Sequence, residues 1–162
     1  MKLIFLRHGE YNRIQTNPND GPLTENGERQ ANAAGQWLRD LPLRPTHLIH
    51  TPTTRTAQTA KIALAALHID ADAILLETRR LPKDFQRWVD FANERQARLD
   101  DSAVVLAVGH QYTQALMCKD FGLPEHLKKK DYRAVIAVLE GGPDNWRCVA
   151  HFPGFLPTDP VG

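Results

Sequence analysis

Ala103 to Val108 form an unbroken apolar run that passes straight into Gly109-His110. A short run of this kind, rich in β-branched valine, suits a strand buried on both faces, and such strands belong to parallel sheets covered by helices on either side. Other short apolar runs alternate with helical patterns. Lys2 to Leu6 and Thr46 to His50 read as strands, and Ala73 to Leu76 as a weaker one. Thr24 can cap a helix with Ala31, Ala34, Leu38 and Leu41 on one face, closed by Pro42. Thr51-Pro52 reads as an N-cap followed by proline at the first helical position, where its missing N–H costs nothing, ahead of a face made by Ala57, Ala60, Leu64 and Leu67. Phe85, Trp88, Val89, Ala92 and Leu99 mark a third helix, and Tyr112 to Phe121 a fourth with Gly122 at its C′ position. Ala134 to Leu139 and Trp146 to Phe152 flank Gly141-Gly142-Pro143-Asp144-Asn145 and read as a hairpin of edge strands. The expected fold is α/β: a three-layer α/β/α sandwich with a mostly parallel central sheet and an antiparallel edge hairpin near the C-terminus.

A length of 162 residues at 42% hydrophobic content predicts a single domain over 1–162, with 153–162 as a loosely ordered tail. Lys and Arg number 20 against 19 Asp and Glu, so no overall field draws the chain to nucleic acid or an anionic membrane, and affinity for anions must be local. Cys118 and Cys148 lack C-x-x-C spacing, which fits a reducing compartment with each as a small buried hydrophobe. Trp88 and Trp146 are expected in the core. The apolar start, Leu3 to Leu6, is too short for a secretory signal, no stretch reaches the length of a membrane span, and a cytoplasmic location is the expectation.

The charged residues at the element ends carry the functional signal. Arg7 and His8 lie just past one predicted strand, His110 just past another, and Arg55 falls in the first turn of the helix after a third. Ligands of open parallel sheets bind beyond the carboxyl ends of the strands, near helix N-termini that favour anions. A cluster of these four groups repels itself unless an anion fills it, and phosphate matches paired guanidinium forks. A neutral imidazole can attack phosphorus while two arginines and a second histidine hold the equatorial oxygens, and the arginines keep that imidazole unprotonated. Gly9 is expected to let the backbone pass close to the ligand. A carboxyl group is still needed to protonate an oxygen leaving group or to activate water.

The blocks RHGE at Arg7 to Glu10, PLTENGERQA at Pro22 to Ala31, TPTTRTAQTA at Thr51 to Ala60 and VVLAVGH at Val104 to His110 resemble the histidine phosphatase superfamily, the phosphoglycerate-mutase-like proteins. The resemblance implies that His8 is the phosphorylated nucleophile, that Arg7 and Arg55 bind phosphate, and that His110 stabilises the transferring group. It implies neither metal nor cofactor. The short chain is most similar to the small phosphohistidine phosphatase branch. Where mutase-like members carry an Asn after an aromatic residue, this chain has Arg13 and Ile14, leaving Asn12 as the nearest amide for a phosphate contact. Within LLETRRLPKDF, Glu77 and Asp84 are the candidate acids, with Asp84 slightly preferred. A phosphoramidate, whose nitrogen leaving group protonates readily, makes a strong internal acid less necessary.

The reading is therefore a metal-independent phosphatase acting on a phosphohistidine protein or a small phosphomonoester through a phospho-His8 intermediate. The alternatives are a mutase-type phosphotransferase or a noncatalytic phospho-ligand-binding module. His47, His50, His68, His126 and His151 lack metal-ligand spacing, and Lys128-Lys129-Lys130 reads as a solvated face. Glu10 can either shape the RHG loop or pair with a nearby arginine.

Overall fold

A computed structural model of the chain describes residues 1–142, 145–156 and 159–161, with the side chains of Phe85, Cys118, Lys119, Asp120 and Lys128 outside that description. The expectations for Pro143, Asp144 and the Cys118 side chain, for the part of Phe85 in the third helix's apolar face, and for Lys128 in its solvated face lie outside the described residues. Among the described residues six strands form one sheet: β1 (Lys2–Arg7), β2 (His47–His50), β3 (Leu75–Thr78), β4 (Val104–Gly109), β5 (Ile136–Glu140) and β6 (Arg147–Phe152). Five α-helices connect them: α1 (Glu25–Asp40), α2 (Thr54–Ala65), α3 (Ala71–Ile74), α4 (Phe85–Arg98) and α5 (Gln111–Asp120), with a 3-10 turn at Glu125–Lys128. Strand order is β3-β2-β4-β1-β5-β6; β3, β2, β4 and β1 run parallel, and β5 and β6 add antiparallel pairings.

Side-chain alternation along the buried strands divides the core into two layers. Leu3, Phe5, Val105, Ala107, Ala137 and Leu139 face Trp88, Phe91, Ala92 and Met117 of α4 and α5. Ile4, Leu6, Leu106, Val108, Ile136 and Val138 face Ala34 and Leu38 of α1 and Ala60, Ala63 and Leu64 of α2. This is the expected three-layer sandwich. α1 and α2 approach closely because Gly35 has no side chain: a Cβ there would lie 2.2 Å from the Ala63 carbonyl oxygen. Among the described residues, no helix is long and apolar enough to cross a membrane.

Several local expectations move. Thr51 does not start a helix; its N–H stays in the sheet, donating to the Val108 carbonyl at 3.2 Å, and α2 begins after Thr53. Sheet pairing thus outweighs the capping signal at Thr51-Pro52. The weak strand at Ala73 to Leu76 splits, because the Asp70 carboxylate accepts from Asp72 N–H and nucleates α3 before β3 begins at Leu75. β5 is no edge strand: it lies between β1 and β6, which matches the full burial of Ile136 to Leu139, whereas β6 is an edge. Leu41 is 37% exposed, beyond the apolar face that ends at Leu38. Trp88 is fully buried, while Trp146 and Cys148 are half-buried against the same core layer. Gly122 takes φ +77 at the C′ position of α5, as the sequence indicates. Beyond β6, Phe155 exchanges two backbone hydrogen bonds of 2.8 Å with Arg133, which ties this part of the 153–162 segment to the loop before β5.

Candidate active site

β1 and β4 are parallel neighbours with Arg7 opposite Gly109, so the residues that follow, His8 and His110, leave the sheet side by side. Their ring centroids are 5.4 Å apart. β2 lies on the other side of β4, and the chain after it brings Thr51 and then Arg55, in the first turn of α2, to the same edge. The four sequence-predicted groups Arg7, His8, Arg55 and His110 all line one cleft of about 670 Å³.

His8 is 3% exposed. Its Nδ1 lies 2.7 Å from the Gly9 carbonyl oxygen, which can only accept, so the partner assigns the proton to Nδ1 and leaves the Nε2 lone pair available. Burial is the largest influence on its titration; the Gly9 carbonyl opposes it, and Arg7, Arg55 and His110 reinforce it, holding the pKa well below the usual 6.5. The following turn is fastened to two helices. Gly9 N–H donates to Thr59 Oγ1 at 3.1 Å, and Thr59 donates in turn to the Arg55 carbonyl at 2.7 Å. Glu10 accepts from the hydroxyl of Thr24, the N-cap of α1, at 2.8 Å. Glu10 therefore shapes the loop.

His110 is held at both ring nitrogens. Its Nε2 lies 2.8 Å from Thr51 Oγ1, and Arg55 Nη2 lies 3.4 Å from Nδ1. Since guanidinium only donates, Nδ1 is the acceptor and the proton sits on Nε2. The Thr51 hydroxyl then donates to Thr56, and Thr56 to the Thr51 carbonyl. Burial, followed by Arg55 and Arg7, lowers the His110 pKa to about 4 despite the opposing influence of Asp20.

Arg55 also donates from Nη1 to the Asn19 carbonyl at 2.6 Å and to Asp20 at 3.2 Å, and its guanidinium lies 4.4 Å from the Tyr11 ring centroid. Burial alone would raise Asp20, but hydrogen bonds from Thr54 and Gly21, with Arg55 beside it, hold its pKa below the ordinary carboxylate value. Arg7 is 2% exposed and donates to Gln114 at 3.1 Å, to the Tyr132 carbonyl, and to the Lys130 carbonyl at 2.6 Å. Burial first, then the Arg133 charge, brings its pKa down to about 9, so it remains cationic at neutral pH. The buried Nε–H groups of Arg7 and Arg55 find no partner among the described residues. An unpaired buried donor is costly, and an anion supplies acceptors for both.

The remaining predicted site residues go elsewhere. A Cβ on Gly9 would lie 2.5 Å from the Gly27 carbonyl oxygen, so packing against the start of α1 by itself requires a glycine here. Asn12 pairs through its backbone with Pro22 and does not line the cleft. Glu77 is ion-paired with buried Arg95, fastening β3 to α4. Asp84 is the N-cap of α4, accepting from Arg87 N–H at 3.0 Å. Neither carboxylate lines the cleft, because local cap and ion-pair partners claim them first.

Sequence reasoning missed most of the wall. Tyr11, Arg13, Asn19, Thr51, Arg80, Lys83, Tyr112, Lys130 and Arg133 complete much of it, and among the described lining residues there is no Asp or Glu. Lys130 thus belongs to the cleft rather than to a merely solvated face. The missed signal was positional: Arg80 and Lys83 follow the predicted strand at 73–76, as Arg7 follows the first. Among the described residues no group of three or more His, Cys, Asp or Glu side chains converges to hold a metal ion.

The family model for the histidine phosphatase superfamily (branch 1) matches residues 3–88, a stretch that includes Arg7, His8 and Arg55. Over 81 residues the chain is 40% identical to fructose-2,6-bisphosphatase TIGAR B of Danio rerio, an alignment covering 46% of this chain and 31% of that protein. Over 68 residues it is 35% identical to the mitochondrial serine/threonine-protein phosphatase Pgam5 of Drosophila willistoni, covering 42% of this chain and 23% of that one. The matches thus span less than a third of these curated relatives. The structure of the protein histidine phosphatase SixA complexed with tungstate superposes with a TM-score of 0.69 at 19% identity, covering 94% of this chain and 97% of that chain, a likeness of fold. The chain belongs to the histidine phosphatase superfamily, branch 1.

Proposed function

We propose that the chain is a metal-independent phosphatase that uses His8 as nucleophile and prefers phosphoramidates, with a phosphohistidine protein as the substrate class. The Nε2 lone pair of His8 attacks phosphorus, the bond from phosphorus to the leaving nitrogen breaks, and the substrate ring, already protonated by solvent on its other nitrogen, departs as neutral imidazole. The free edges of Arg7 and Arg55 hold the equatorial oxygens as charge develops, and His110 joins them by turning its Nε2–H from Thr51 to a phosphoryl oxygen. Water then attacks phospho-His8; the P–N bond returns its electron pair to Nε2, the water proton passes to solvent, and inorganic phosphate leaves.

One observation carries the preference: the cleft presents seven cationic side chains and, among the described lining residues, no carboxylate. An alkoxide leaving group needs an acid beside it, whereas a phosphohistidine ring can take its proton from solvent on the nitrogen remote from phosphorus and so needs no acid in the cleft. The neighbour SixA is named a protein histidine phosphatase, which supports the same substrate class. The test compares inorganic phosphate release from a phosphohistidine protein, p-nitrophenyl phosphate and a phosphoserine peptide, with and without EDTA. The expected order is phosphohistidine, then aryl phosphate, then alkyl phosphate far behind, all insensitive to chelator. Fast phosphoserine hydrolysis contradicts the leaving-group argument, and phosphoryl transfer without net phosphate release identifies a mutase instead.

A further inference from the structure

The loop between β3 and α4 is short but firmly seated. Arg79 N–H donates to the His50 carbonyl at 3.0 Å, Leu81 is 2% exposed, and Asp84 caps α4. Leu81 occupies the space left by the missing side chain of Gly109, where a Cβ would lie 2.6 Å from its Cδ1. The anchor therefore sits one residue before His110. On either side of it, exposed Arg80 and Lys83 line both the main cleft and an adjoining one of about 510 Å³ that runs along α4.

The neighbouring arginines already have carboxylate partners. Arg79 pairs with Glu77, Arg87 with Asp84, and Arg95 and Arg98 with Glu94. The second cleft also carries Asp90, which accepts from Gln86. Arg80 and Lys83 form no ion pair among the described residues, and the Lys83 ammonium lies 5.6 Å from the Tyr112 ring centroid. With a net charge of +1 for the whole chain, two unpaired cations fixed at the junction of two clefts form a local anion-recognition feature.

We propose that Arg80 and Lys83 are specificity-determining residues that bind acidic side chains flanking the phosphorylated residue of a protein substrate, the flanking segment lying in the groove along α4. The inference rests on the phosphatase reading above. An extended peptide is favoured because the groove continues well past His8, whereas a compact phosphorylated metabolite fills only the main cleft.

The test uses two phosphohistidine peptides, one with Asp and Glu flanks and one with Asn and Gln flanks, on the wild type and the Arg80→Gln/Lys83→Gln variant. The wild type should favour the acidic peptide roughly 3- to 10-fold in kcat/KM at low salt, mainly through KM. The variant should lose that preference, read as the ratio of kcat/KM between the two peptides so that any common change in basal rate cancels, and added salt should erase the wild-type preference too. A preference that survives in the variant overturns the assignment. So does a fall of equal size on both peptides and on p-nitrophenyl phosphate, or a loss confined to a sugar bisphosphate, which indicates a small-molecule subsite. Binding of the unphosphorylated acidic peptide, followed by fluorescence anisotropy, is read without turnover: if the wild type hydrolyses nothing, weakened binding in the variant still supports the groove and unchanged binding rejects it.

Discussion

Arg55 Nη2 lies 3.4 Å from Nδ1 of His110, a contact between groups 55 residues apart that orients the imidazole and disfavours its protonation. The same guanidinium keeps its Nε–H unpartnered among the described residues, a donor that the proposed mechanism gives to the incoming anion. Arg55→Ala should lower kcat/KM by about 10²- to 10³-fold, as loss of a transition-state donor does. Arg55→Lys should recover only a small part, because an ammonium cannot form the same fork. Steady-state kinetics on p-nitrophenyl phosphate check this; full rescue by lysine would show that charge alone suffices.

Both active-site imidazoles are neutral well into the acid range. His110 titrates at about 4 in the folded chain and His8 lies well below 6.5. Activity should therefore stay level from neutral pH down to about 5 and fall as pH approaches 4. Stability follows the same asymmetry. Between about 6.5 and 4 the unfolded chain binds more protons at these positions than the folded one, so acidification through that window destabilises the fold. Melting temperature against pH, compared with His110→Gln, measures it: the variant should show the shallower acid slope. An acid limb centred near 6.5 in the kinetics contradicts the assignment.

Glu77 and Asp84 separate structure from catalysis. Glu77 is partly exposed but pairs with Arg95, whose side chain is 6% exposed, so Glu77→Ala leaves a nearly buried cation without that partner and should cost about 1–3 kcal/mol. Asp84→Ala removes an N-cap, worth about 1 kcal/mol. Thermal denaturation should register both losses while kcat on a phosphohistidine peptide changes less than about twofold. A large fall in kcat for either folded variant would restore it as an acid.

Gly9→Ala places a methyl 2.5 Å from the Gly27 carbonyl oxygen, a backbone atom held by the start of α1. Relief requires moving either the helix or the turn that carries His8. The variant should be destabilised by about 1–3 kcal/mol, with a loss of kcat that exceeds any change in KM. Denaturant titration and steady-state kinetics together check the pair of effects.

Much of the fold was legible because its strands are buried on both faces. Ala103 to Val108 and Lys2 to Leu6 have one stable environment, and fixing them side by side brings the two histidines together. Positions decided by competition were less legible. Thr51 has the chemistry of a cap but spends its backbone on β4 and its hydroxyl on His110. β5 looked like half of an edge hairpin until pairing with β1 placed it inside the sheet. At the site, residues at predicted strand ends were readable, whereas Lys130 and Arg133 enter through a loop whose course depends on the carbonyls of Lys130 and Tyr132 bonding Arg7. Glu77 and Asp84 lie outside the cleft lining because a carboxylate near a cleft in sequence is equally suited to pairing or capping.

The central claim is that Nε2 of His8 carries the phosphoryl group between substrate and water. Rapid mixing with ³²P-labelled substrate, quenching in alkali and peptide mapping tests it most directly. The expected result is an acid-labile, base-stable label on the peptide containing His8, absent from His8→Ala. A label on serine, threonine, aspartate or another histidine, or undiminished turnover by His8→Ala, contradicts the account.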